Sequence, residues 1–484
     1  MHDKISMSDS AGELKVLLTR PQHALLSYRF PDIGLGYLAT GLRNAGFAPI
    51  LQVPDANGWD TQRAVNAARD KKVNLVGIKV MTADLSACRQ LHAALRQSLP
   101  QVPVILGGPH VSGAKDAVFV QFPGLVYAIA GEAERSLPLF VALLHSHNFR
   151  PPSEALRSIP GLMWRANGHI HINPPDIIED LDALGWPAWD LLKPEETHVP
   201  FNVFYSKRQP IVGITTARGC TSHCTYCSIH LIEGRRYRAR SPEHILDEME
   251  LLVREHGVRE IQFVDSNCIQ DKARMIKICQ GIIERKLDIA WSCPNGVKAG
   301  SVDDELAGWM SKSGCHFVFL GIETGSPRIQ KKIRKGLNLV KLPEKIAILK
   351  RNGINVGGFF MIGFPDESRE EITRTVNLAL SLDIDVAAIS VFVPLPGSEI
   401  FGQLPSGITS GYTDCVFQNA SNDLSQVSSK ELLTVAGRAF IRLSLKPSRA
   451  LFFLKNLNSL HKWKHIAASG SRHLRNAFFS SPTS

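Results

Sequence analysis

Two α/β modules in series are what this sequence predicts: a doubly wound parallel sheet first, then a partial TIM-type barrel of about six βα units, closed by a helical C-terminal extension. Three observations carry the expectation. Short apolar runs alternate with amphipathic stretches over residues 14–145, the pattern of parallel strands joined by helices. The alternation lapses over a stretch rich in Pro, Asn and Trp and resumes near residue 211. The chain, at 484 residues, is too long for one ordinary hydrophobic core.

The first module has five strand candidates, around Val16–Leu18, Pro49–Leu51, Leu75–Ile78, Val104–Leu106 and Val126–Ile129, with helical stretches such as Leu35–Ala45 and Leu85–Leu99 between them. Ligands of such sheets bind beyond the carboxyl ends of the strands. Those ends carry Gly107-Gly108-Pro109-His110 and Gly131-Glu132-Ala133-Glu134. Residues 146–205 read as a linker with a β-hairpin, in which Asn167-Gly168 makes the turn between Gly161–Arg165 and His169–Ile172. The second module, 206–400, has strand candidates at Ile211–Thr215, Glu260–Val264, Ala290–Cys293, Phe317–Leu320, Gly357–Ile362 and Ala387–Val393. Its active face should be the carboxyl ends of those strands. In the 401–484 extension, 402–430 reads as loop, 431–466 as helix and the last fifteen or so residues as disordered.

Composition narrows the functional classes. No apolar run approaches the roughly 18 residues that span a bilayer, and the acidic residues Asp3, Asp9 and Glu13 with no apolar stretch speak against a signal peptide. A cytoplasmic location is the expectation. The formal charge of +10 is concentrated at the end: after Glu431 there are nine Lys and Arg residues and no Asp or Glu. The body is therefore near neutral, and nothing in it argues for nucleic acid. Within 438–464 the cations accompany apolar Phe440, Ile441, Leu445, Leu451, Phe452 and Leu454. Such a helix packs on the barrel or rests peripherally on an anionic membrane; packing is the favoured reading.

Six of the nine cysteines stand singly, whereas Cys220, Cys224 and Cys227 fall within eight residues. In a reducing compartment such a cluster reads as metal-binding or catalytic, not as a disulfide framework. C-x3-C-x2-C follows directly on the first barrel strand and can aim three thiolates at one centre. A [4Fe–4S] cluster usually takes four cysteines; three leave one iron open for a chelating ligand. The spacing equally permits a Cys3His zinc site completed by His223 or His230.

This triplet, with Tyr226 before its last cysteine, resembles the signature of the radical S-adenosylmethionine (SAM) superfamily. Further strings resemble the subgroup with an N-terminal flavodoxin-like, cobalamin-binding domain: Phe263-Val264-Asp265-Ser266-Asn267, Leu320-Gly321-Ile322-Glu323-Thr324-Gly325-Ser326, Phe360-Met361-Ile362-Gly363-Phe364-Pro365-Asp366-Glu367-Ser368 and Pro394-Leu395-Pro396-Gly397-Ser398. The likeness covers roughly residues 14–400. It implies that Cys220, Cys224 and Cys227 ligate a [4Fe–4S] cluster beside Tyr226, that Glu323 accepts hydrogen bonds from the SAM ribose, and that Asp265 and Gly363 line SAM. Asp265 departs from the subgroup pattern, since Asp-Ser replaces an acidic pair.

For the first module the resemblance implies cobalamin, with Thr82, Gly107, Gly108, Gly131 and Glu132 toward it. The D-x-H-x-x-G motif that would supply a histidine to cobalt is missing; the stretch reads Pro31-Asp32-Ile33-Gly34-Leu35-Gly36. A domain that has lost its cofactor is the alternative. A methylthio-transfer enzyme would need more cysteines there than Cys88. The implied activity is methylation of an unactivated carbon of a small-molecule or lipophilic substrate, with electrons from a flavodoxin- or ferredoxin-type donor. Oxidative cyclisation or rearrangement is the first alternative, and a non-enzymatic metal- or cobalamin-binding protein the second.

Overall fold

The computed structural model describes residues 14–21, 30–54, 59–196, 206–405 and 423–446, with Arg449 and Phe452. Two compact units form. Of the described residues, one unit holds those up to 21, those from 32 to 178 and 184–192; the other holds 30–31, 179–183 and those from 193 onward.

The first unit is built on β1 (Lys15–Thr19), β2 (Ala48–Gln52), β3 (Leu75–Lys79), β4 (Val104–Gly107) and β5 (Tyr127–Ile129), all parallel, in the spatial order 2-1-3-4-5. Helices Ile33–Asn44, Thr61–Asp70 and Leu85–Ser98 and the short helices Pro109–Ala114 and Val118–Gln121 connect them, and Ser136–Ser146 follows β5. Apolar residues alternate along each strand between two cores. Leu17, Val76, Ile78 and Leu106 face one; Val16, Leu18, Leu75 and Ile105 face the other, as a sheet covered on both sides requires. The sequence places a hairpin in a linker. It forms as β6 (Leu162–Ala166) and β7 (His169–Ile172), but it extends the sheet: β6 pairs antiparallel with β5 through Tyr127–Trp164, Ala128–Met163 and Ile129–Leu162. Met163 and Trp164 on opposite faces then finish the two cores.

The second unit is a six-stranded, all-parallel sheet in simple sequential order: β8 (Ile211–Ile214), β11 (Glu260–Phe263), β12 (Ala290–Val297), β13 (Cys315–Glu323), β14 (Asn355–Ile362) and β15 (Val386–Val391). A two-residue ribbon, β9 (Ala217–Arg218) with β10 (Arg238–Ala239), brackets the cysteine loop. The helical stretches fall between strands as the periodicity implies, at Pro242–His256, Lys272–Glu284, Leu342–Arg351 and Arg369–Ser381; Asp304–Lys312 and Pro327–Lys332 are additional. β12 and β13 run past the apolar segments that mark them in sequence and carry Asn295, Gly296 and Glu323 at their far ends.

Helix Ser429–Ser444 turns Leu432 and Ala436 onto Ile362, Ile372 and Val391 of the barrel. Beyond it, buried Arg449 donates from Nε to the Ile384 carbonyl at 2.9 Å and from Nη2 to that of Ala379 at 2.8 Å. In this helix Leu432, Ala436, Ala439 and Leu443 are buried, Phe440 and Ile441 are half-buried, and Leu445 just beyond it is exposed. The loop expected over 402–430 and the helix and tail expected beyond 446 lie largely outside the described residues.

Charged side chains are buried behind the carboxyl end of β8. Arg240 meets Glu248 at 2.6 Å with both side chains excluded from water, and it also donates to the Thr215 carbonyl at 2.8 Å. Removing one member of a buried pair strands the other charge, at a cost of about 3–5 kcal/mol. Arg240→Met is therefore expected to lower unfolding stability by about that amount, read as a fall in the urea midpoint at unchanged slope.

Candidate functional site

Gly219 starts the site. It has φ +87°, and a Cβ there would stand 2.0 Å from the Arg236 carbonyl oxygen, so only glycine turns the chain out of β9 into the cysteine loop. The Gly219 amide donates to Glu233 Oε2 at 3.0 Å, and the same oxygen accepts from Ser266 Oγ at 2.9 Å. Burial raises the Glu233 carboxyl above its usual range. This residue ties the root of the loop to the loop after β11.

Cys220, Cys224 and Cys227 then line one cavity of about 380 Å³ at the carboxyl ends of the barrel strands. Tyr226 anchors the loop. Its ring packs among Ile329, Ile333, Phe364, Phe392 and Ile400, edge-on to Phe364 at 6.1 Å. The neighbouring backbone is stitched down by Thr225 N to the Ile333 carbonyl at 3.1 Å and Ile400 N to the Thr225 carbonyl at 3.0 Å. Burial pushes the Cys224 and Cys227 thiols up from their usual pKa, and the Tyr226 hydroxyl well up.

The opposite wall is formed by Ser266, Asn295, Gly296, Lys298, Glu323 and Phe359. Glu323 brings the cavity's one carboxylate among its lining residues. Its backbone sits at φ +69°, a region non-glycine residues seldom occupy and one that marks functional sites. Glu323 Oε1 accepts from Lys335 Nζ at 2.7 Å, and Nζ lies 3.3 Å from the Tyr226 hydroxyl. Burial opposes the Lys335 charge, yet the ion pair with Glu323 carries the ammonium above its ordinary pKa.

Lys335, Lys298 and Arg235 are site residues that sequence reasoning passes over. Only the positive charge at Arg334-Lys335 in a turn after a short helix hints at the first. His230 lines the cavity; His223 is not among its lining residues.

The other expected SAM contacts are placed differently. Asp265 is buried beneath the cavity wall, where Thr216 donates to it from both N, at 2.6 Å, and Oγ1; its neighbour Ser266 is the residue that reaches the cavity. Gly363 (φ +88°) donates its amide to Glu367 Oε2 at 2.6 Å, and a Cβ there would meet Leu432 Cδ1 at 2.6 Å. Both residues hold strand ends and neither lines the cavity.

In the first unit, Thr82 Oγ1 and His110 Nδ1 are 3.1 Å apart, and His110 Nε2 lies 2.8 Å from Gln121. A Cβ on Gly108 (φ +96°) would meet Val80, one on Gly107 would meet Ile129, and one on Gly131 would meet Pro175. Glu132 Oε2 accepts from the Ile178 amide at 2.7 Å. These residues are engaged by their own chain. Where cobalt-binding histidine is missing, Asp32 instead caps helix Ile33–Asn44 and pairs with Lys79 at 2.8 Å. The strand order reverses between β1 and β3, and in open α/β sheets ligands bind at such a switch point, beyond the carboxyl ends of the strands.

A sequence model of the radical SAM superfamily matches residues 214–379, and one of the B12 binding domain matches 24–141. The chain belongs to the radical SAM enzymes that carry a cobalamin-binding domain. The cofactors of this family are a [4Fe–4S] cluster, SAM and cobalamin. The chain is 29% identical over 423 residues to an uncharacterized methyltransferase of Pyrococcus horikoshii, covering 86% of this chain and 88% of that one. It is 26% identical to an anaerobic magnesium-protoporphyrin IX monomethyl ester cyclase of Rubrivivax gelatinosus, covering 81% and 70%. Among solved structures, the radical SAM methyltransferase TsrM of Kitasatospora setae shares the fold with a TM-score of 0.64 at 18% identity, covering 80% of this chain and 77% of that one.

For a cluster in this cavity the donor set is apt: three cysteines within one loop, the soft ligands iron–sulfur centres take. Among the described residues no group of three or more His, Cys, Asp or Glu is placed to hold a single metal ion.

Glu367 supplies a test of the loop that backs the site. Its Oε2 accepts from the Gly363 and Phe364 amides, at 2.6 and 3.0 Å, while buried Oε1 has no hydrogen-bond partner. Burial raises its pKa from 4.5 to about 7. A carboxyl raised on folding contributes stability that is complete below pH 4.5 and is lost as pH rises through about 7. Glu367→Gln removes that loss, which amounts to about 3 kcal/mol at most. Between pH 5 and 8 the urea midpoint of the wild type is expected to fall more than that of the variant.

Proposed function

We propose that this enzyme methylates an unactivated carbon of a small-molecule or lipophilic substrate, with Cys220, Cys224 and Cys227 holding the [4Fe–4S] cluster. The observation that carries the reading is the convergence of three thiols, one carboxylate and an apolar wall in one cavity at the barrel mouth. When bound, cluster and SAM supply a 5′-deoxyadenosyl radical and cobalamin a transferable methyl group; the chain supplies placement and shelter. Tyr226 and the backbone bonds of Thr225 keep the cysteine loop rigid. Glu323 accepts from the ribose hydroxyls of SAM. Phe359 and Val297 give the cavity apolar surface that limits water near a reactive carbon centre.

In the first unit we place cobalamin at the switch point between β1 and β3, toward Thr82, Gly107 and Gly108, with Gly131 and Glu132 shaping the loop after β5. Limits of 206–400 for the barrel and 401–484 for the extension go with this reading, while the hairpin within 146–205 belongs to the sheet that starts in 14–145. A one-electron donor of the flavodoxin or ferredoxin type would reduce the cluster. No helix among the described residues is long and apolar enough to cross a membrane.

The similarity to the Rubrivivax cyclase favours a second outcome of the same radical start, ring closure or rearrangement. The experiment begins with protein purified without oxygen and reconstituted with iron and sulfide. About four irons per chain are expected, with 5′-deoxyadenosine formed on addition of dithionite and SAM and abolished in Cys220→Ala. Bound zinc without SAM cleavage would overturn the assignment. With a substrate in hand, a product heavier by one CH2 marks methylation, and loss of hydrogen marks cyclisation.

A further inference from the structure

We propose that Lys335 is the positioning residue of the cavity: it holds the Glu323 carboxylate and the Tyr226 hydroxyl in register and sets a fixed positive charge beside Cys224. The inference rests on the SAM-binding reading of Glu323 given above.

Three independent features converge on Lys335. The first is delivery. Its turn, residues 332–335, is clamped on both sides. Thr225 of the cysteine loop bonds the Ile333 carbonyl, Cys224 Sγ lies 3.9 Å from the Arg334 carbonyl, Arg334 makes a two-point ion pair with Glu399 at 2.8 Å, and Lys332 Nζ reaches the Pro365 carbonyl at 2.8 Å. Lys335 therefore enters the site from backbone already fixed to the cysteines. The second is space. A Cβ on Gly321 would stand 2.7 Å from Lys335 Nζ and 3.0 Å from Glu323 Oε1, so the strand leaves the volume of a side chain to this ion pair. The third is strain. Glu323 is held at φ +69° where the pairing of β13 with β14 slips by one residue. Strained backbone persists where surrounding contacts over-determine it, and the Lys335 ion pair is such a contact.

The consequence is a carboxylate with one oxygen engaged and oriented before any ligand arrives. Without the ammonium, Glu323 would be a buried carboxylate with no cation holding Oε1 in place. A hydrogen bond to a charged group is worth about 1.5–3 kcal/mol, so the loss of alignment corresponds to about tenfold or more in affinity.

The test uses the reconstituted holoenzyme and SAM itself as the probe. Wild type, Lys335→Met, Lys335→Arg, Glu323→Gln and the Lys335→Met/Glu323→Gln double variant are compared by iron content and by the electron paramagnetic resonance spectrum of the dithionite-reduced cluster during a SAM titration. Lys335→Met is expected to keep the iron of wild type, yet to require about tenfold more SAM for the spectral change. Lys335→Arg restores most of the affinity, and the double variant is no weaker than Glu323→Gln alone. A Lys335→Met protein that titrates like wild type overturns the proposal. So does a double variant whose loss is the product of the two single losses, because Lys335 would then act apart from Glu323. If both Lys335 variants lose iron, the residue is part of the scaffold and the proposal falls. A wild-type cluster whose spectrum ignores SAM refutes the underlying SAM-site reading instead.

Discussion

Thr216 is the residue on which the site hangs. Its amide and hydroxyl donate to Asp265, and its carbonyl accepts from the Arg240 amide at 3.0 Å and from Arg274 Nη2 at 2.5 Å. Asp265 and Arg274 are themselves buried, and charges out of water persist only where they are paired and hydrogen-bonded. This ties the end of β8 to the loop after β11 and to helix Lys272–Glu284 by directional contacts. A hydrophobic contact would tolerate a small slip of one element along another; these contacts tolerate much less. From Thr216 the chain runs through β9 to Gly219 and the cysteines, so the direction in which the thiols point is decided before the loop begins.

The far end of the same loop is held by different physics. Tyr226 is gripped by an apolar cluster drawn from Ile329 and Ile333 of the helix Pro327–Lys332 and its C-terminal end, with Phe364, Phe392 and Ile400, and the bonds of Thr225 add register. A polar clamp at one end and an apolar one at the other leave only the thiols and a few side chains to face the cavity. Burial raises the pKa of the Cys224 and Cys227 thiols; a metal centre takes thiolates, so metal loading at such residues is coupled to release of protons. Lys335, Lys298 and Arg235 supply positive charge around that event, against the single carboxylate of Glu323.

The parts of this design legible in the sequence are those encoded locally. Strand cores announce themselves as apolar runs, and C-x3-C-x2-C after the first barrel strand announces the loop. The hairpin of β6 and β7 was readable from Asn167-Gly168, but its pairing with β5 was not, because a strand's partner is set by tertiary packing and not by its own residues. Asp265 and Gly363 show the converse. Both stand in strings that resemble SAM-lining segments, yet Asp265 serves Thr216 and Gly363 serves Glu367, beneath and behind the cavity. A motif marks where a strand ends; which of its side chains turns inward depends on the pleat. Lys335 had no periodic or motif signal at all, since its position follows from how a short helix ends against another loop.

The two units use the same βα grammar and differ in the order of their strands, and that difference decides what each can hold. In the first, the order 2-1-3-4-5 reverses direction once, between β1 and β3, and such a switch point is where open α/β sheets take their ligands. An elongated ligand tail can enter there without any special side chain, which is why Gly107, Gly108 and Gly131 can be accounted for by their own packing while the unit still belongs to a cobalamin-binding class. In the second, the order 8-11-12-13-14-15 never reverses. In such an order the strands' carboxyl ends lie along one edge, and the segments at or after the ends of β8, β11, β12 and β13 meet at the cavity. Convergence is what a centre with three thiol ligands and a separate carboxylate requires: Cys220 follows β8, Ser266 follows β11, Asn295 and Gly296 end β12, and Glu323 ends β13. No pair of adjacent strands could bring these groups together, and so the chemistry of the site is a property of the sequential order of the sheet as much as of any residue in it.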